Sequence, residues 1–124
     1  MQTSVNSHGT LIINDAYNAN PASSKAALTA LAKTKASNKV AFLGTMGELG
    51  PDAQEMHHEV TAFANEKGIT VYAVDSSMYG DVTHLESQDA AFEIASGYDS
   101  DYAVLVKGSR SNGLEVLAER IAEI

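Results

Sequence analysis

The chain has 124 residues, with eight basic side chains against sixteen acidic ones and a formal net charge of −8. That length suits one domain with its own core, and the acidic bias repels nucleic acid and anionic membranes, whose binding rests on Lys and Arg. There is no cysteine, which excludes thiol catalysis, zinc–thiolate sites and disulfide frameworks and fits a reducing cytoplasm.

The first predicted element is a buried strand over Thr10–Asn14 (TLIIN); the residues before it, His8 among them, read as an unstructured start. They lack the basic and apolar regions of a signal peptide, and no apolar run in the chain approaches the ~20 residues of a membrane helix. Asn20 followed by Pro21 predicts a capped helix from about Pro21 to Lys33, burying Ala27, Leu28 and Leu31. A second strand, Lys39–Leu43, runs into the glycine-rich loop Gly44–Gly50. Pro51 opens the next helix, with Met56, Val60, Phe63 and Ala64 on one stripe and Gly68 as its stop. Thr70–Val74 is a third strand and Asp81–Leu85 a short fourth. A helix through Ala90, Phe92 and Ile94 stops at Gly97. Tyr102–Val106 is the last strand, and the closing helix carries Leu114, Leu117, Ile121 and Ile124.

Strands alternating with helices predict a single α/β domain of Rossmann-like type, a mostly parallel sheet flanked by helices on both faces. In such sheets ligands bind beyond the C-terminal ends of the strands. Three polar segments fall there.

Asn14–Ser23 (NDAYNANPAS) offers the Asp15 carboxylate, the Tyr17 ring and the Asn18 and Asn20 amides, groups suited to a ribose and a base edge. The same residues also suit a turn with an Asn cap. Leu43–Asp52 (LGTMGELGPD) has three glycines but matches neither a P-loop nor GxGxxG, and Glu48 within it reads as a solvated charge. Val106–Gly113 (VKGSRSNG) sets Lys107 and Arg110 around Gly108 and Ser109, ahead of a helix start, a donor set for a carboxylate or phosphate. A solvated basic turn is the alternative; the scarcity of basic residues favours the anion site. His57 and His58 are adjacent and cannot face one metal from a helix, no HExxH or GxSxG occurs, and no metal site is expected.

Together and in this order, Asp15–Pro21 (DAYNANP), Leu43–Gly50 (LGTMGELG) with His57 downstream, and Leu105–Arg110 (LVKGSR) resemble the C-terminal domain of the Mur ligases. Within that family the resemblance is to the branch that adds D-alanyl-D-alanine to a UDP-N-acetylmuramoyl-tripeptide. It implies one domain over residues 1–124 of a larger cytoplasmic ligase of peptidoglycan precursor synthesis, and so of cell-wall biogenesis, cell shape and division. That ligase uses ATP and Mg2+ to activate a carboxylate as an acyl phosphate, which an incoming amine attacks. This domain would close over the ATP site, with Asp15 at the ribose and Asn18 and Asn20 at the nucleotide. Lys107, Ser109 and Arg110 would lie near the dipeptide carboxylate, with Glu48 beside the same cleft, while His57 packs its helix.

Thr45 stands where that branch commonly has Asp, and Ser76–Asp81 is shorter than the family's usual helix. The family's P-loop and magnesium ligands belong to a central domain and its UDP-sugar site to an N-terminal one, and the arginine that reaches the ATP γ-phosphate lies just upstream of the matching residues. The expectation is therefore that these 124 residues carry no catalytic residue, bind no cofactor tightly, and are inactive without their partner domains. The competing readings are a Mur-type ligase domain with another amino-acid substrate, and a free-standing flavodoxin-like or receiver-like module; Thr45 argues against a receiver's acidic cluster.

Overall fold

A computed structural model describes all residues, 1–124. Six strands form one sheet in the order β1-β2-β6-β3-β4-β5: β1 Gln2–Val5, β2 Leu11–Asp15, β3 Asn38–Leu43, β4 Thr70–Val74, β5 Thr83–Leu85 and β6 Tyr102–Lys107. All neighbours are parallel except β1, which pairs antiparallel with β2 at one edge. The helices are α1 Pro21–Ala32, α2 Ala53–Glu66, α3 Gln88–Ser96 and α4 Glu115–Ala122. None is long and apolar enough to cross a membrane.

Two apolar layers hold the sheet, as its alternation of side chains requires. Ile13, Ala41, Leu43, Ala103 and Leu105 face α1 and α2, meeting Leu28, Leu31, Val60 and Ala64. Ile12, Val40, Phe42, Val104 and Val106 face α3 and α4, meeting Ala91, Ala95, Leu117 and Ile121. Each fully buried aliphatic side chain contributes roughly 1.5–3 kcal/mol relative to exposure.

The helix ends follow their local chemistry. Asn20 caps α1 by accepting from the Ser23 N–H at 2.8 Å, while Ser23 Oγ accepts from the Asn20 N–H at 3.1 Å. Ser87 caps α3 by accepting from the Ala90 N–H at 3.2 Å. Pro51 lies in a single 3₁₀ turn, Gly50–Asp52, and α2 proper starts after it. The stripe that α2 buries is His57, Val60, Thr61 and Ala64, with Met56 and Phe63 only half-buried at its margins. In α3 the buried positions are Ala91 and Ala95, flanked by half-buried Phe92 and Ile94.

The expected unstructured start is corrected. Residues Gln2–Val5 form an edge strand, and the turn after it is pinned from several sides. The Asn6 amide donates to the Ile121 carbonyl at 3.0 Å and accepts from the N–H groups of His8 and Thr10. The edge strand escapes a pattern-based reading because all four of its residues are exposed, so no face carries an apolar alternation.

Candidate functional site

Strand order places the site. β6, the last strand in sequence, lies between β2 and β3. Lys107 at its end is in register with Asp15 on β2 and with Leu43 on β3. Three chain segments distant in sequence therefore leave the sheet at one level, side by side. Between them opens a cleft of about 850 Å³. Tyr17, Asn18 and Ala19 line it from the first segment, Gly47 and Glu48 from the second, and Ser109, Arg110 and Ser111 from the third. Tyr17, Glu48 and Arg110 are exposed, so the cleft offers an aromatic face, a carboxylate and a guanidinium to anything that enters.

Lys107 and Arg110 do not form one donor set. Alternation along β6 turns Lys107 inward, where it is 2% exposed. Its ammonium donates to Asp15 Oδ2 at 2.7 Å and to the Asn18 carbonyl at 2.7 Å, with the Asp15 carbonyl at 3.5 Å. A lysine has three protons to give, and these acceptors account for them. Lys107 thus ties the loop after β2 to the end of β6, and it fixes Asp15 and the backbone of Asn18. The Asn20 side chain is likewise engaged, in the cap of α1. Arg110 alone of the two cations projects from the rim. A 3₁₀ turn, Arg110–Asn112, separates it from α4, so no α-helix starts directly behind it.

The glycine-rich loop is held from α2 and from the segment after β4. His57, fully buried, accepts the Met46 N–H at its Nε2 (2.8 Å) and donates from Nδ1 to the Ala53 carbonyl (2.6 Å). Those two bonds require the neutral ring. Burial holds its pKa below 6.5, against the Ala53 hydrogen bond, and neighbouring His58 adds to the lowering. The His57 ring sits edge-on to Tyr79, centroids 4.8 Å apart. The Tyr79 hydroxyl donates to the Gly44 carbonyl at 2.6 Å, and burial pushes its own pKa well up. Thr45 donates to Ser76 Oγ at 2.8 Å. Gly44 has a packing reason: a Cβ there would lie 2.5 Å from Asn112 Oδ1. Gly44, Thr45 and His57 lie in or beside the glycine-rich segment that the resemblance rests on, whereas nothing in the sequence marked Tyr79 as its partner.

The chain belongs to the Mur ligase, glutamate ligase domain family, which it matches over residues 1–110. Within the family its likeness is to UDP-N-acetylmuramoyl-tripeptide–D-alanyl-D-alanine ligases, the MurF enzymes. It is 39% identical over 118 residues to the Treponema pallidum enzyme, covering 83% of this chain and 26% of that protein. To the Rickettsia prowazekii enzyme it is 41% identical over 71 residues, 56% of this chain and 16% of that protein. The chain thus spans about a quarter or less of the curated relatives it matches. The structure of Thermotoga maritima MurF ligase in complex with ADP superposes with a TM-score of 0.79 at 26% identity, covering 97% of this chain and 29% of that one. An Acinetobacter baumannii MurF structure gives 0.79 at 24% identity, a likeness of fold, over 97% of this chain and 30% of that one.

Proposed function

We propose that this chain is the C-terminal domain of an ATP-dependent, amide-bond-forming ligase of peptidoglycan precursor synthesis, where it covers the nucleotide and receives the incoming D-alanyl-D-alanine. The carrying observation is the single cleft that gathers Arg110, Ser109 and Glu48 opposite Tyr17 and Asn18 at the C-terminal end of the sheet. Family membership and the ADP complex of a structural neighbour support it.

In this reading Arg110 grips the dipeptide carboxylate, because a guanidinium fork matches a carboxylate in two parallel hydrogen bonds. Asn18 and Tyr17 present an amide and a ring to the nucleotide. Asp15 and Lys107 act mainly on each other, holding that wall in place, and Asn20 starts α1 behind it. Glu48 lies where it can meet the ammonium end of the dipeptide. ATP fits the donor and ring chemistry of the Tyr17–Asn18 wall and supplies phosphate to the acceptor carboxylate when bound. No group of three His, Asp or Glu side chains is placed to hold a metal ion, so magnesium is assigned to the central domain of the parent ligase. The acceptor, UDP-N-acetylmuramoyl-tripeptide, is assigned to the other domains, in the cytoplasm.

Steady-state kinetics of the full-length ligase with Arg110→Ala test the reading. Loss of a charge-assisted contact weakens dipeptide binding by about 1.5–3 kcal/mol. The dipeptide KM should rise more than the ATP KM, and Arg110→Lys should recover part of the loss. A rise confined to the ATP KM would move this loop to the nucleotide.

A further inference from the structure

Asn112 closes the 3₁₀ turn behind the cleft, and its side chain is wedged between two strand-end loops. A Cβ on Gly44 or on Gly108 would lie 2.5 or 2.7 Å from its Oδ1, so both glycines leave the room that the amide fills. Oδ1 accepts the Ser109 N–H at 2.8 Å and the Ser109 hydroxyl at 3.0 Å. The backbone N–H can only donate, so the atom facing it must be the oxygen, which fixes the orientation of the amide. Gln88 of α3 steadies the turn from behind, its Nε2 donating to the carbonyls of Gly113 at 3.2 Å and Asn112 at 3.4 Å.

The consequence concerns Ser109. With its hydroxyl hydrogen given to Asn112 Oδ1 at 3.0 Å, Ser109 turns a lone pair to the cleft; Ser111 Oγ, 3.1 Å away, can donate to Ser109 or accept from it. A lone pair attracts an N–H and repels a carboxylate. We infer that Asn112 is a positioning residue that sets Ser109 as a hydrogen-bond acceptor for an N–H of the incoming dipeptide, leaving Arg110 alone to hold the carboxylate. The inference rests on the proposed function and sharpens it, since the resemblance put Lys107, Ser109 and Arg110 together at the carboxylate and the geometry leaves that contact to Arg110.

The test is a set of variants of the full-length ligase assayed with D-Ala-D-Ala and with its C-terminal amide, which lacks the carboxylate charge. Asn112→Ala and Ser109→Ala should each raise the dipeptide KM about tenfold, as for one lost hydrogen bond to a charged group. The ATP KM should stay within about twofold in both, and kcat should move less than KM. The double variant should add nothing to Ser109→Ala, because one residue acts through the other. Asn112→Asp keeps an oxygen for both Ser109 donors and should restore most of the affinity. With the dipeptide amide the Ser109→Ala penalty should persist while the Arg110→Ala penalty disappears. A Ser109→Ala penalty that vanished with the amide would show Ser109 donating to the carboxylate and would overturn the inference. So would additive effects in the double variant, or an Asn112→Asp no better than Asn112→Ala. If the unaltered ligase does not join D-Ala-D-Ala to the nucleotide tripeptide, the proposed function fails first and by itself.

Discussion

At the scale of single residues, two buried groups carry more than their neighbours. Lys107 satisfies Asp15 and the Asn18 carbonyl at once. Lys107→Met keeps the stem and removes the charge, leaving the Asn18 carbonyl without this donor and the part-buried Asp15 carboxylate without its nearer cation, the N-terminal ammonium at 3.7 Å being the other. Removing one member of such a pair costs on the order of 3 kcal/mol, and urea unfolding of the 124-residue chain should show a loss of that order. His57 gives a pH signature. It is held neutral in the fold, below its ordinary 6.5, chiefly by burial. The unfolded chain therefore binds the extra proton, and stability falls as pH drops below about 6.5 towards the lowered folded value. Exposed His84 works in the opposite sense, its pKa raised by the carbonyls of Gly80 and Ser76, so its contribution is present at low pH and lost as pH rises. Urea midpoints between pH 7 and pH 5 should flatten in His57→Gln; a slope unchanged from the parent chain would remove His57 as its source.

At the scale of elements, the glycine-rich loop is positioned by what surrounds it. Tyr79 reaches it from the segment after β4, His57 from α2, and Asn112 from the turn after β6. Tyr79→Phe keeps the ring against His57 and deletes only the bond to the Gly44 carbonyl. The expected loss is about 1 kcal/mol, the net value of one hydrogen bond, with faster amide exchange in residues 44–50. Gly108→Ala is the harsher change. Its Cβ would stand 2.7 Å from Asn112 Oδ1 and 2.9 Å from Leu114 Cδ1. The turn must shift to admit it, and the expected penalty is about 1–3 kcal/mol, typical of overpacking. Thermal melts of the two variants side by side measure both.

For the molecule as a whole, each face of the sheet has its own apolar layer, closed by two helices. The exposed large apolar side chains are Met1, Val5, Tyr17 and Val116, and the isolated chain should unfold in one cooperative step. Circular dichroism and calorimetry should give coincident transitions; a broad melt without a heat-absorption peak would show that it needs a partner. Folding is not activity. The proposed division of labour keeps phosphate chemistry in the central domain, so the isolated chain should release no phosphate from ATP when offered magnesium, nucleotide tripeptide and D-Ala-D-Ala.

Local pattern alone determined the elements that alternate in this chain: β2, β3, β4 and β6 as apolar runs, α1 from Asn20 and Pro21, and a mostly parallel sheet covered on both faces. The three polar segments after those strands were legible for the same reason, because periodicity and capping depend on neighbours a few residues away. The exposed β1 carried no such pattern, and it took the pairing with β2 to reveal it. The insertion of β6 between β2 and β3 was equally out of reach, for strand order depends on contacts between residues up to 92 positions apart. That insertion turned Lys107 inward onto Asp15 and Arg110 outward to the cleft. Two cations three residues apart, alike in sequence, thus face opposite environments because one ends a buried strand and the other begins an exposed turn.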